Sequence, residues 1–206
     1  MCTQSIGESE EANLIFFLRV GNAIVGVKFC EGKEKIFTLK QTHSNKVYVF
    51  EKLTNGEVEG DAIITQLKGV RIGVKTADCA PIALLGHFTV GVIHAGWKGL
   101  KEGIIEEAVE VFKSFEPLKN VVAFVGPSAK ACCYQVEAWF KDLFSYIHYK
   151  SGSFFLDIQE EAVLRLKKSG IHKFVKLNVC TICNAKYPSY RRDKSKDRII
   201  TYVYIK

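Results

Sequence analysis

The sequence predicts a mixed α and β fold. Short apolar runs bounded by glycine, proline or charge recur along most of the chain, and several are rich in β-branched residues, as pleated strands prefer. Two longer stretches instead repeat their apolar residues at helical spacing. The chain has 206 residues, 48% of them hydrophobic, enough for one well-buried core. No internal repeat, low-complexity tract or proline-rich linker divides it, so residues 1–206 read as a single domain.

In chain order, the candidate strands are 14–20, 23–29, 46–51, 61–65, 70–75, 81–85, 89–94, 121–126, 173–179 and 199–205. That is more than one simple small sheet holds. A helix is expected over 100–115, where Leu100, Ile104, Ala108, Val109 and Phe112 share one face and Glu106, Glu107 and Glu110 occupy the other. A second is expected over 158–169, with Asp157 able to accept hydrogen bonds from its first turn, Ala162, Leu164 and Leu166 supplying apolar content, and Gly170 placed to end it. A third is expected after Gln135.

Charge and cysteine content narrow the function classes. The formal net charge is +7, but Lys186, Arg191, Arg192, Lys194, Lys196 and Arg198, against Asp193 and Asp197, concentrate more than half of it in one loop. A local basic loop suits a phosphate or carboxylate pocket better than a long polyanion track, and no nucleic-acid-binding signature accompanies it. The seven cysteines form no regular framework, which leads us to expect reduced thiols and a cytoplasmic setting. The apolar residues of 14–18 follow Glu8, Glu10 and Glu11, unlike the basic start of an export signal, and no run approaches membrane-spanning length.

Three segments place a potential metal ligand beside small or turn-forming residues: Gln41-Thr42-His43-Ser44-Asn45, Thr76-Ala77-Asp78-Cys79-Ala80-Pro81 and His94-Ala95-Gly96-Trp97-Lys98-Gly99. His43, Cys79 and His94 offer two imidazoles and a thiolate, a set suited to zinc or copper with a fourth position left for water or substrate. They lie 36 and 15 residues apart, so no local ligand motif exists, and each residue alone also suits a structural role.

At these segments the chain resembles the laccase-domain family, also called multicopper polyphenol oxidoreductases or peptidoglycan editing factors. The resemblance rests on Gln41-Thr42-His43, Gly60-Asp61-Ala62, the Thr76 and His94 segments above, Gly126-Pro127-Ser128, Cys132-Cys133-Tyr134, Cys180-Thr181 and Ser189-Tyr190-Arg191-Arg192-Asp193, in that order, across roughly residues 40 to 200. It implies a layered αββα sandwich and a zinc-dependent enzyme that phosphorolyses adenosine, inosine and methylthioadenosine and deaminates adenosine. It also implies that His43, Cys79 and His94 hold one metal per chain. The chain departs from the family pattern at Leu18-Arg19-Val20-Gly21-Asn22, a reduced counterpart of a longer arginine-containing segment. Lys130 and Ala131 replace a usual glycine and proline, and Asp197 stands where glycine often precedes the last arginine. Loop shape is expected to differ there.

Ligand counting separates this chain from a blue-copper laccase, which needs far more histidines than His43, His87, His94, His148 and His172 for its mononuclear and trinuclear copper sites. Copper held adventitiously by the zinc ligands would account for weak phenol oxidation. A zinc deaminase of the cytidine type is also excluded: neither His43 nor His94 is followed two residues on by Glu, and Cys180-Thr181-Ile182-Cys183 follows Val179 rather than proline. No second CxxC completes a four-cysteine site, so Cys180 and Cys183 read as two buried thiols near the pocket. In the expected chemistry, zinc polarises water for attack at C6 of adenosine, Asp78 or Asp61 handles protons, and Arg191 and Arg192 bind phosphate through their guanidinium forks. Asp78 also suits a plain turn and the arginines surface salt bridges. Two other classes remain: a metal-free cysteine hydrolase or deamidase with Cys79 as nucleophile and His94 as its base, and a non-catalytic factor in cell-wall precursor quality control.

Overall fold

The computed structural model describes residues 13–31, 35–52 and 57–206. Strands β1 (Leu14–Val20), β2 (Ala23–Phe29), β3 (Val47–Val49), β4 (Ala62–Thr65), β5 (Ile72–Thr76), β6 (Ala80–Leu85) and β7 (Val90–Ala95) lead into helices α1 (Trp97–Lys101) and α2 (Ile104–Lys113). Strands β8 (Val122–Val125), β9 (Gln135–Val136), β10 (Ile147–Lys150) and β11 (Ser153–Leu156) precede α3 (Ile158–Lys168), β12 (Lys173–Lys176), α4 (Tyr190–Asp193) and β13 (Ile199–Ile205). The mixed, layered α and β class expected from the sequence is the one observed.

The strands form a six-stranded sheet in the order β12-β8-β6-β7-β4-β3, a four-stranded sheet β1-β2-β13-β5, and a small sheet β10-β11-β9. Alternation along β7 shows how the layers assemble. Val90 and Val92 join a core shared with Val25, Val74 and Val203 of the four-stranded sheet, whereas Ile93 and Ala95 face Ile104, Ala108 and Phe112 of α2. A central strand covered on both faces has every residue buried, as β6 and β7 do. Burying Ile82, Leu84, Ile93 and Phe112 fully contributes roughly 1.5–3 kcal/mol each.

Pairing register brings three strand ends together. In the antiparallel β6–β7 pair Ala80 faces Ala95 and Pro81 faces His94, while β4 places Ala62 opposite Ile93. The turn before β6, the end of β7 and the residue before β4 therefore share one edge of the sheet.

The elements β1, β2 and β13 span the expected residues, and the other predicted strands shift by a few positions. The helix expected over 100–115 begins earlier, at Trp97, and breaks at Gly103, whose φ of 83° ends α1 and starts α2. Asp157 caps α3 as expected, its side chain accepting from the Glu160 backbone N–H. The third helix is replaced by β9, a 3-10 segment Ala138–Asp142 and the β10–β11 hairpin. That hairpin turns at Ser151 and Gly152, both at positive φ. Reduced thiols are not found throughout: Cys133 and Cys183 form a disulfide. Among the described residues no helix is long and apolar enough to cross a membrane.

Candidate metal centre and active site

His43, Cys79 and His94 converge at that shared sheet edge, with one ligand atom of each within 4.8 Å of the others. Cys79 Sγ lies 3.9 Å from His43 Nε2, and the two imidazole rings stand edge to face at 4.7 Å. Gly96 makes the convergence possible: a Cβ there would sit 2.8 Å from Cys79 Sγ and 3.1 Å from His43 Cδ2. Two non-glycine residues hold the left-handed region beside the ligands, His43 at φ 62° and Asp78 at φ 88°, backbone strain that the surrounding hydrogen bonds must sustain.

Asp61 is fully buried immediately before β4 and supplies those bonds to the His43 loop. Its Oδ1 accepts from the His43 backbone N–H at 3.0 Å and contacts His94 Nδ1 at 2.7 Å. Its Oδ2 accepts from the Ser44 N–H and hydroxyl at 2.7 and 2.8 Å and from the Thr42 N–H at 3.2 Å. Burial opposes its charge, yet the His94 and Ser44 bonds hold the carboxyl well below the usual carboxylate range. With Nδ1 of His94 engaged, Nε2 is the nitrogen presented for ligation, an arrangement known from metal-binding histidines. Burial pushes the Cys79 thiol up, but His94 and His43 more than offset this and leave it at about 6. His94 is disfavoured as a cation by burial, but the Cys79 and Asp61 charges raise it to about 9. Two imidazoles and one ready thiolate, with a carboxylate behind one imidazole, fit zinc.

The three candidate ligands line a cavity of about 950 Å³ together with Gln41, Lys75, Asp78, Trp97, Lys98, Tyr134, Tyr190, Arg191, Lys194 and Arg198. Asp78 reaches it with both oxygens engaged: Oδ1 accepts from Thr181 Oγ1 at 2.7 Å, and Oδ2 from Ser189 Oγ at 3.0 Å and the Arg191 N–H at 2.7 Å. Arg191 donates from Nη1 to the Gln135 carbonyl at 2.7 Å, and its guanidinium lies 4.6 Å from the centre of the Tyr134 ring. Burial drives the Tyr134 hydroxyl up to about 12, so it remains a neutral donor.

The two arginines expected to act together part company. Arg192 donates to the carbonyls of Thr181, Ile182, Asn184 and Tyr187 and pairs with Asp193, holding the 181–187 loop rather than lining this cavity. Asp61 likewise lies behind the ligands, outside the cavity lining. Arg19, on β1, donates to the Gly21 carbonyl and is not among the residues that line the cavity. Where glycine and proline were expected, Lys130 reaches Gln159 and Asp157 at 3.3 and 3.7 Å. Of the basic loop read as suiting a phosphate or carboxylate pocket, Arg191, Lys194 and Arg198 line the cavity, whereas sequence reasoning missed Lys75 and Lys98, although Lys98 sits within the His94 segment. The Gln41 side chain, bonding both the N–H and the carbonyl of Lys75 at 2.8 Å, joins the His43 loop to β5.

A family model described as multi-copper polyphenol oxidoreductase laccase matches residues 23–206. A purine nucleoside phosphorylase from Aquifex aeolicus is 45% identical over all of this chain and 99% of its own length. A Clostridium acetobutylicum protein of the same name is 33% identical over 80% of this chain and 75% of its own. Among solved structures, a Neisseria meningitidis protein, NMB0706, matches with a TM-score of 0.83 at 21% identity, covering 94% of this chain and 99% of its own. YlmD from Geobacillus stearothermophilus matches at 0.79 and 21% identity, over 90% and 92%.

Proposed function

The chain belongs to the family described as multi-copper polyphenol oxidoreductase laccase, and from that premise we propose that it is a zinc-dependent purine nucleoside phosphorylase. The observation that carries this reading is one cavity lined both by His43, Cys79 and His94 and by Lys98, Arg191, Lys194 and Arg198. The names of the Aquifex and Clostridium relatives support the same reaction. Copper-cluster chemistry is disfavoured, because His87, His148 and His172 join neither metal-capable group among the described residues.

Phosphate binds to the basic wall, where the Arg191 guanidinium fork meets two of its oxygens and Lys98 and Lys194 neutralise the rest. A phosphate oxygen forms a bond to the ribose C1′ as the bond to the purine nitrogen breaks, and the base departs with a proton from solvent. Trp97, Tyr134 and Tyr190 supply ring faces against which a purine and its ribose pack. Zinc at His43, Cys79 and His94 would supply a Lewis acid for hydrolytic deamination of adenosine in the same cavity. Asp61 positions His94 and the His43 loop. Asp78 positions Arg191 through its backbone N–H. Adenosine, inosine and methylthioadenosine are the substrates proposed for phosphorolysis.

Incubating metal-replete protein with adenosine, with and without phosphate, tests both activities. Adenine and ribose 1-phosphate formed only with phosphate report phosphorolysis, and inosine formed in either case reports deamination. Absence of all three products defeats the proposal.

One observation favours a second reading. Cys79, His94 and Asp61 stand in the order of a nucleophile, a base and the group orienting that base. A metal-free cysteine hydrolase would be alkylated at Cys79 with loss of activity while containing no zinc, whereas bound zinc protects Cys79 in the phosphorylase.

A further inference from the structure

A second group of four sulfurs lies apart from the cavity. Cys132 and Cys133 come from the turn before β9, and Cys180 and Cys183 from the turn after β12. Their Sγ atoms all lie within 4.8 Å of one another. Cys132 Sγ is 3.1 Å and Cys180 Sγ 3.5 Å from Cys183 Sγ, and Cys133 is bonded to Cys183. Backbone bonds hold the two turns in register: Ser128 N–H donates to the Val179 carbonyl and Thr181 N–H to the Ser128 carbonyl. The second CxxC that a four-cysteine site seemed to need is thus supplied by an adjacent pair 50 residues earlier.

We propose that Cys132, Cys133, Cys180 and Cys183 form a second metal site, a closed tetrathiolate for one zinc ion. With Zn–S bonds of about 2.3 Å, a tetrahedron has edges of about 3.8 Å, the scale on which these sulfurs already stand. A soft, four-thiolate set selects zinc over hard cations, and it leaves no coordination position for substrate. The bound cluster carries two negative charges. Lys150, which donates to the Cys132 carbonyl, and Arg192, which donates to the carbonyls of Thr181 and Ile182, bring cationic groups to both turns.

The disulfide and the tetrathiolate are alternative states of one cluster, because the disulfide removes two ligands. A dithiol reductant passes two electrons and two protons to the Cys133–Cys183 bond and itself becomes a disulfide. The four thiols then release four protons as one Zn2+ binds. Zinc here would clamp the turn that leads to Tyr134 against the loop held by Arg192, two parts of the frame around the cavity.

The test uses Cys79→Ala protein purified under a dithiol without oxygen, so that the His43 and His94 site no longer retains zinc. Metal analysis is expected to give one zinc per chain, falling to none when Cys132→Ser and Cys180→Ser are added. X-ray absorption on zinc-loaded wild-type protein provides a reading free of substitutions, with sulfur-only coordination expected for one of two zinc ions. Zinc-free Cys79→Ala protein in which Cys132, Cys133, Cys180 and Cys183 all react with a thiol reagent would overturn the proposal. So would a wild-type chain with a single zinc in a nitrogen-rich shell.

Discussion

Replacing Asp61 by Asn removes one charge, changes the shape little, and tests what that buried carboxylate does. The amide must place its NH2 at one of two positions. At the Oδ2 position it would oppose four donors, the N–H groups and the hydroxyls of Thr42 and Ser44. At the Oδ1 position it opposes only the His43 N–H and faces His94 Nδ1. The second placement is therefore favoured, and it turns His94 Nδ1 into an acceptor with the proton on Nε2, the nitrogen needed for the metal. Losing such a partner costs about 10–100-fold in metal affinity, or about 1.4–2.7 kcal/mol. The orphaned His43 N–H costs the metal-free fold about 1–3 kcal/mol. At this chain length each kcal/mol lowers Tm by about 2–4 °C. Competition against a chromophoric chelator measures the first quantity and thermal melting of metal-free protein the second. Zinc affinity within twofold of wild type in Asp61→Asn would refute the positioning role.

Three further outcomes follow from the same geometry. Gly96→Ala puts a methyl 2.8 Å from Cys79 Sγ, and with φ at −84° the backbone accepts alanine; zinc affinity is expected to fall at least about tenfold, and chelator titration that finds it unchanged would contradict the crowding. Arg191→Ala is expected to raise the KM for phosphate by about tenfold or more, whereas Arg192→Ala lowers Tm and leaves that KM within about twofold; steady-state kinetics beside melting curves distinguishes them, and the reverse pattern would exchange the roles. Zinc binding is expected to strengthen with pH: His94 stays protonated up to about 9 while Cys79 is already a thiolate above about 6, so between these values one proton is displaced. Affinity then rises about tenfold per pH unit, and more steeply below about 6, where two protons compete; a flat profile across that window would show that His94 is neutral without metal.

The limits of legibility have physical causes. The strands 14–20, 23–29 and 199–205 were readable because each is a clean apolar run with clear boundaries, and pairing merely confirms them. Gly103 inside the expected helix was a visible warning, since only the left-handed conformation at that residue separates α1 from α2. The β10–β11 hairpin was also signalled, by Ser151 and Gly152 between aromatic-rich segments, but the nearby helix reading took precedence. Ligand identity was legible as residue types. Convergence was not, because it depends on the β4–β7–β6 register, which no local spacing encodes. The four-sulfur cluster was illegible for the same reason: the sequence holds one CxxC turn, and only folding sets an adjacent cysteine pair against it.

Asp78 connects the two ends of the cavity mechanically. Its peptide leads directly into Cys79, and its carboxylate grips the Arg191 backbone, so a thiolate and a guanidinium separated by 112 positions in the chain share one mounting. Any phosphate that draws Arg191 inward strains that mounting, and any ion that repositions Cys79 does so from the other side. Linkage requires the two effects to be equal: the factor by which zinc alters phosphate affinity is the factor by which phosphate alters zinc affinity. Severing the Asp78 carboxylate is therefore expected to bring that factor towards one while leaving His43, Cys79, His94 and the Arg191 guanidinium in place.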